Sequence, residues 1–135
     1  LVEGAEEAML ITATDPHKVQ PVRTRAMEQV IPVIALDAAV ARECRTLHRR
    51  QADPEKVGRV LIQAAYSMME GEGAFAFINS PPYATNQNLW ISWMYTELEE
   101  NPEKYKDMHF VGEFYGEDEY AVTEELAKEL FRVHS

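Results

Sequence analysis

The sequence predicts an all-α fold, a compact orthogonal or bundle-like domain of five to seven helices. Three observations carry that expectation. Apolar residues recur at helical spacing through most of the chain. Asp-Pro-Glu and Asn-Pro-Glu triplets look like helix starts, with a capping acceptor, a proline at the first helical position and an acid in the first turn. Only one stretch, Ala74 to Ile78, has strand character, and it finds no evident strand partner. At 135 residues the chain reads as one domain, 1–135, large enough to bury a core without staples.

The elements follow in order. Val2 to about Thr14 places Ala5, Ala8, Met9 and Thr12 on one helical face and stops at Asp15-Pro16. From Val22 the apolar positions Met27, Val30, Ile31, Ile34, Ala38, Ala41 and Leu47 keep a period near 3.6. Pro32 falls inside this pattern, so it kinks one helix or starts a second. Asp53-Pro54-Glu55 opens a helix striped by Val57, Val60, Leu61, Ala64 and Met68. Gly71 and Gly73 loosen it before residues 74–78, read as helix or buried coil. Asn79-Ser80-Pro81-Pro82 is a loop. Thr85 or Asn86 then caps a helix through about Glu100, with Leu89, Trp90, Trp93, Met94 and Leu98 on its face. Asn101-Pro102-Glu103 starts a short helix through Tyr105 and Met108. Residues 111–120 form an irregular connection, and Thr123 caps a last helix whose Glu124 can pair with Lys128.

Charge is unevenly spread. Residues 1–50 hold seven acids and seven bases, so the net charge of −10 lies wholly in residues 51–135. A field of that sign repels nucleic acid and anionic membrane and speeds encounter with basic partners. No apolar run approaches the ~20 residues of a membrane span. The single cysteine, Cys44, excludes an intramolecular disulfide. The chain begins at Leu1 without Met, so the expectation is that something upstream was cleaved or trimmed.

No catalytic motif is present. The Walker, Gly-x-Ser-x-Gly, His-Glu-x-x-His, Cys-x-x-Cys and EF-hand patterns are all absent. Cys44 and His48, four apart on an expected helix, are the one local pair that could hold an ion or activate a thiol. The flanking Arg42, Arg45, Arg49 and Arg50 would repel a cation, and the plainer reading is a buried thiol beside a surface histidine. No catalytic residue, metal or cofactor is therefore expected, and an enzyme is the weakest reading.

Aromatic residues gather around Pro81-Pro82 and adjoin the acidic segment. Aromatic residues beside acids suit an interface with a basic protein. The candidate partner-binding residues are Tyr83, Trp90, Trp93, Glu97, Glu100, Glu103 and Asp107. The function expected is a non-catalytic protein that docks a basic protein partner. A homodimer fits as well. The alternative is a helical small-molecule or cofactor-binding domain, with Met27, Met68, Met69, Met94, Met108 and the tryptophans lining an apolar pocket.

The stretch from Tyr83-Ala84-Thr85-Asn86-Gln87-Asn88-Leu89-Trp90 to Asn101-Pro102-Glu103 resembles the small helical Rap/Tai-like immunity proteins of type VI secretion. The resemblance covers roughly residues 83–103. It implies a helical inhibitor that neutralises a toxin or effector, possible as a dimer, and a periplasmic location; otherwise the chain would be cytoplasmic. The disulfide-forming cysteines usual in that family are missing here. No inhibitory residue carries over.

Overall fold

The computed structural model describes residues 7–13, 15–38 and 40–134. It is a mixed α/β structure, which corrects the all-α expectation. The elements run β1 (Met9–Ile11), α1 (Pro16–Glu28), β2 (Val33–Leu36), a 3-10 turn (Arg42–Cys44), β3 (Leu47–Arg49), α2 (Pro54–Met68), β4 (Gly73–Asn79), α3 (Thr85–Glu100), β5 (Met108–Tyr115) and α4 (Tyr120–His134). The strands are parallel, in a three-stranded sheet ordered β1-β2-β3 and a two-stranded sheet β4-β5. Parallel neighbours need a crossover, and α1 and α3 supply two of them.

The chain divides into two compact units. One takes the residues up to Asp53 together with Tyr83–Asn86. The other takes Pro54–Pro82 and the residues from Gln87 onward.

In the first unit, the helix expected from Val22 to Leu47 stops at Glu28. Asp15 caps α1, its Oδ1 accepting from the His17 and Lys18 backbone N–H at 2.9 and 3.4 Å. Val30 then turns the backbone to φ 61° and donates to the Met27 carbonyl. Pro32 starts no helix; it precedes β2. Val33 and Ala35 are fully buried on one face; Ile34 is half-buried and Leu36 exposed on the other, yet all four are apolar, so the run shows no alternation. That run imitates helical periodicity over so short a span. The expected first helix is strand at Met9–Ile11, and its residues 2–6 and 14 lie outside the described residues. Ala13, Ala35 and Val40 form this unit's core, with Val19 against them.

In the second unit, α2 and α3 lie where the sequence places them, and α4 begins at Tyr120, before the expected Thr123 cap. Residues 74–78 are strand. The missing partner is β5, which the sequence reads as a short helix followed by an irregular connection. Pairing shifts between Phe75 and Ala76, opposite Phe110 and Gly112, so Val111 is the extra residue of a bulge. Ile62, Phe77, Ile91 and Tyr105 form the core. The Phe77 and Phe110 rings lie 4.7 Å apart, and Tyr95 meets Phe110 edge-on at 5.6 Å. Gly58 lets α2 approach α3, because a Cβ there would sit 2.4 Å from the Trp90 carbonyl oxygen. Among the described residues no helix is long and apolar enough to cross a membrane.

Candidate functional site

Because the strands within each sheet run parallel, their carboxyl ends share one edge. In open α/β sheets, ligands bind at that edge. In the first unit the residue that leaves the central strand there is Asp37.

Asp37 is held from three directions. Its N–H donates to the Arg49 carbonyl at 2.9 Å. Its own carbonyl accepts from His48 Nε2 at 2.9 Å. Its Oδ1 accepts from Asn86 Nδ2 at 2.9 Å. Its backbone sits at φ 61°, a left-handed conformation that costs a non-glycine residue about 1–3 kcal/mol and persists only where the surroundings impose it. Among the described residues no protein donor reaches its second carboxylate oxygen. Asn86 gives one amide hydrogen to Asp37 and keeps a second hydrogen and its carbonyl oxygen for another partner. A carboxylate beside an amide thus presents both acceptors and a donor.

The carboxyl edge of the second unit's sheet is also polar. Asn79 is 5% exposed; its Nδ2 donates to Asn88 Oδ1 at 3.1 Å and Glu113 Oε1 at 3.3 Å. The Ser80 N–H donates to Gln87 Oε1 at 2.9 Å, and the Ser80 hydroxyl donates to Asp118 at 2.6 Å. Tyr95 donates to Glu113 at 3.2 Å. Burial first, then the Glu113 charge, holds the Tyr95 phenol above its ordinary pKa. A hollow of about 260 Å³ lies here, with Asn79 and Gln87 beside Trp90 and Met94. A larger apolar groove of about 510 Å³, between β4 and α4, includes one ionisable residue, His134.

The residues expected to bind a partner fall in several places. Tyr83 belongs to the first unit, partly exposed, with the Lys18 ammonium 5.9 Å from its ring centroid. Trp90 lines the 260 Å³ hollow. Trp93, Glu97 and Glu100 meet at Arg59. The guanidinium carbon lies 5.4 Å from the Trp93 ring, and Nη1 donates to Glu97 at 2.9 Å and Glu100 at 2.7 Å. Hydrogen bonds to Glu100, then Glu97 and Glu55, raise the Arg59 pKa. Glu97 is 4% exposed and also accepts from Gln63 and Tyr105. Glu103 is exposed in the turn after α3, and Asp107, also exposed, accepts the Gly73 N–H through its carbonyl.

Cys44 and His48 share no helix. The thiol is buried beside the Thr24 hydroxyl at 3.5 Å, and the imidazole turns to Asp37 from β3. Among the described residues no group of three or more His, Cys, Asp or Glu side chains could hold a metal ion. Sequence reasoning gave Asp37 no role, read Asn79 only as the start of a loop, and offered Asn86 only as one of two possible helix caps, with Thr85. The available signal was a short apolar run ending in a polar residue, Val33 to Asp37 and again Ala74 to Asn79.

The periplasmic binding protein domain family matches residues 2–134. An ABC transporter solute-binding protein from Clostridium phytofermentas, with bound L-rhamnose, is 29% identical. Its match covers 94% of this chain and 39% of that one, with a TM-score of 0.83. A sugar ABC transporter from Actinomyces odontolyticus is also 29% identical, over 95% of this chain and 41% of that one, at a TM-score of 0.65. An ABC transporter solute-binding protein from Burkholderia graminis, in complex with D-arabinose, shares the fold at 21% identity, over 95% and 43% of the two chains and a TM-score of 0.81. The chain therefore spans well under half the length of each.

These findings overturn the resemblance to immunity proteins, which rested on helix punctuation over some twenty residues. They also overturn the docking of a basic protein partner and the inhibitor role, since these relatives hold small sugars. The small-molecule alternative is nearer the mark, though the helical architecture assigned to it is not. The family is one of periplasmic proteins, which agrees with the periplasmic option reached by another route. A match over all but the terminal residues leaves one conclusion: the chain belongs to the periplasmic binding protein domain family.

Proposed function

We propose that this chain binds a small neutral sugar as part of an exported solute-binding protein that serves an ABC transporter in the periplasm. The observation that carries this reading is Asp37, a carboxylate fixed at the carboxyl end of the central strand with one oxygen that no donor among the described residues reaches. Sugars are recognised through hydroxyl groups, each a donor and an acceptor. An ionised carboxylate takes the hydroxyl hydrogen in a charge-assisted bond, about twice as strong as a neutral one. The Asn86 amide complements it by donating and accepting. Kinship with a rhamnose-bound protein at 29% identity supports a deoxyhexose or pentose over a charged solute.

Titration calorimetry of the full chain against L-rhamnose, D-fucose and D-arabinose tests the proposal. At least one sugar should bind. Asp37→Ala should weaken binding on the order of 10- to 100-fold, the worth of a hydrogen bond to a charged group. Failure of every sugar to bind, or an Asp37→Ala protein that binds as tightly as wild type, would refute it.

A further inference from the structure

We propose that His48 is a positioning residue for the sugar site, holding Asp37 in its left-handed conformation; this rests on the sugar-binding reading above. The register of β2 against β3 ends at Leu36 opposite Arg49. One residue on, the Asp37 N–H still reaches the Arg49 carbonyl. Its carbonyl receives the His48 ring at 2.9 Å, where a ladder would have supplied a backbone N–H. The imidazole takes the place of the next rung.

The chemistry fixes which nitrogen donates. A carbonyl oxygen only accepts, so Nε2 must carry a hydrogen and donate it. The bond matters because of the backbone it clamps. Aspartate at φ 61° sits in a small allowed region, and the broad extended and right-handed regions lie open to it once the clamp is lost. Asn86 restrains the carboxylate only at Oδ1. His48 and the Arg49 carbonyl restrain the peptide units on either side of the Cα, and together the three bonds fix where the open oxygen points. Site groups held by such supporting bonds lose function when the support is removed, though the support never meets the ligand. His48 is only half-buried, on a three-residue edge strand, so its loss should leave folding nearly unchanged.

Titration calorimetry against L-rhamnose, D-fucose and D-arabinose decides the matter, on wild type, His48→Phe, His48→Gln and Asp37→Ala. Glutamine places an amide nitrogen where Nε2 lies; phenylalanine keeps the ring without the donor. His48→Phe should bind about tenfold more weakly, the worth of one lost hydrogen bond, while melting within about 2 °C of wild type. His48→Gln should restore most of the affinity. In wild type, nitrogen-15 NMR of the histidines should show His48 protonated at Nε2. Unchanged affinity in His48→Phe, a His48→Gln protein as weak as His48→Phe, or a bare Nε2 in the spectrum each overturns the proposal while leaving the sugar site standing. An Asp37→Ala protein that binds like wild type overturns the site itself, and the role of His48 with it.

Discussion

Replacing Glu97 by leucine tests what holds α2 to α3 in the second unit. Its carboxylate, 4% exposed, accepts from Arg59 at 2.9 Å, Gln63 at 3.0 Å and Tyr105 at 2.8 Å. The three donors lose unequally. Gln63 is exposed and can turn its amide to water. Arg59 keeps Glu55 and Glu100. The Tyr105 hydroxyl, in a residue 5% exposed, keeps the Lys104 ammonium on its oxygen but loses the acceptor of its hydrogen, at a cost of about 1–3 kcal/mol. With the Gln63 and Arg59 bonds added, the loss comes to about 2–3 kcal/mol, less than the 3–5 typical of a buried ion pair that loses one partner. For a chain of this length that lowers the melting temperature by roughly 7–11 °C. The acid limb supplies a second reading. Burial alone would raise the Glu97 pKa, but the bonds from Gln63, Arg59 and Tyr105 outweigh it and hold it below the ordinary 4.5. A depressed carboxyl stabilises fully above its unfolded pKa, and that contribution fades as pH falls through the folded value. Glu97→Gln, which keeps an acceptor but not the charge, should therefore be destabilised at neutral pH and converge on wild type as pH falls from the ordinary carboxyl value through the depressed one. Urea unfolding of the three proteins at neutral and acid pH is the assay. A leucine variant as stable as wild type, or a glutamine variant whose deficit is the same at both pH values, would refute the reasoning.

Two further outcomes follow from backbone geometry. Gly58→Ala should destabilise by about 1–3 kcal/mol in urea unfolding, the range for overpacking, because its Cβ would sit 2.6 Å from the Trp93 Cβ and closer still to backbone. Val30→Gly should stabilise by about 1 kcal/mol and raise the melting temperature, since a β-branched residue now sits at φ 61° past the end of α1, where glycine is the usual choice; a lower melting temperature would contradict that account.

The helices of the second unit were legible because their signals are local. Asp53-Pro54-Glu55 caps and starts α2, and its apolar stripe runs long enough to show a period. Asn101-Pro102 was misread as a start, since the pair that opens a helix equally ends one; here it terminates α3. The strands were illegible for two reasons. Those of the first sheet have three or four residues, too few to display any period, and β2 is apolar on both faces although only Val33 and Ala35 are fully buried. In β5 the set Met108, Phe110 and Phe114 does alternate, but Gly112 leaves a gap in it. Without β5 as a recognised partner, residues 74–78 could not be read as a strand, and without parallel strands there was no carboxyl edge at which to look for a ligand.

The same dependence explains why charge density pointed the wrong way. About half of the acids of the second half are committed within it. Glu97 and Glu100 serve Arg59, Glu113 accepts from Asn79 and Tyr95, Asp118 accepts from Ser80, and Glu124 and Glu125 pair with Lys128. The carboxylate with an oxygen to spare at a strand end lies in the electrically balanced half. Nothing in the composition around Asp37 distinguishes it from the six other acids of residues 1–50. What distinguishes it is placement: the end of a central parallel strand, a left-handed backbone and a histidine that clamps its carbonyl. A ligand site of this kind is made by topology acting on an ordinary residue, so it becomes visible only once the order of strands is known.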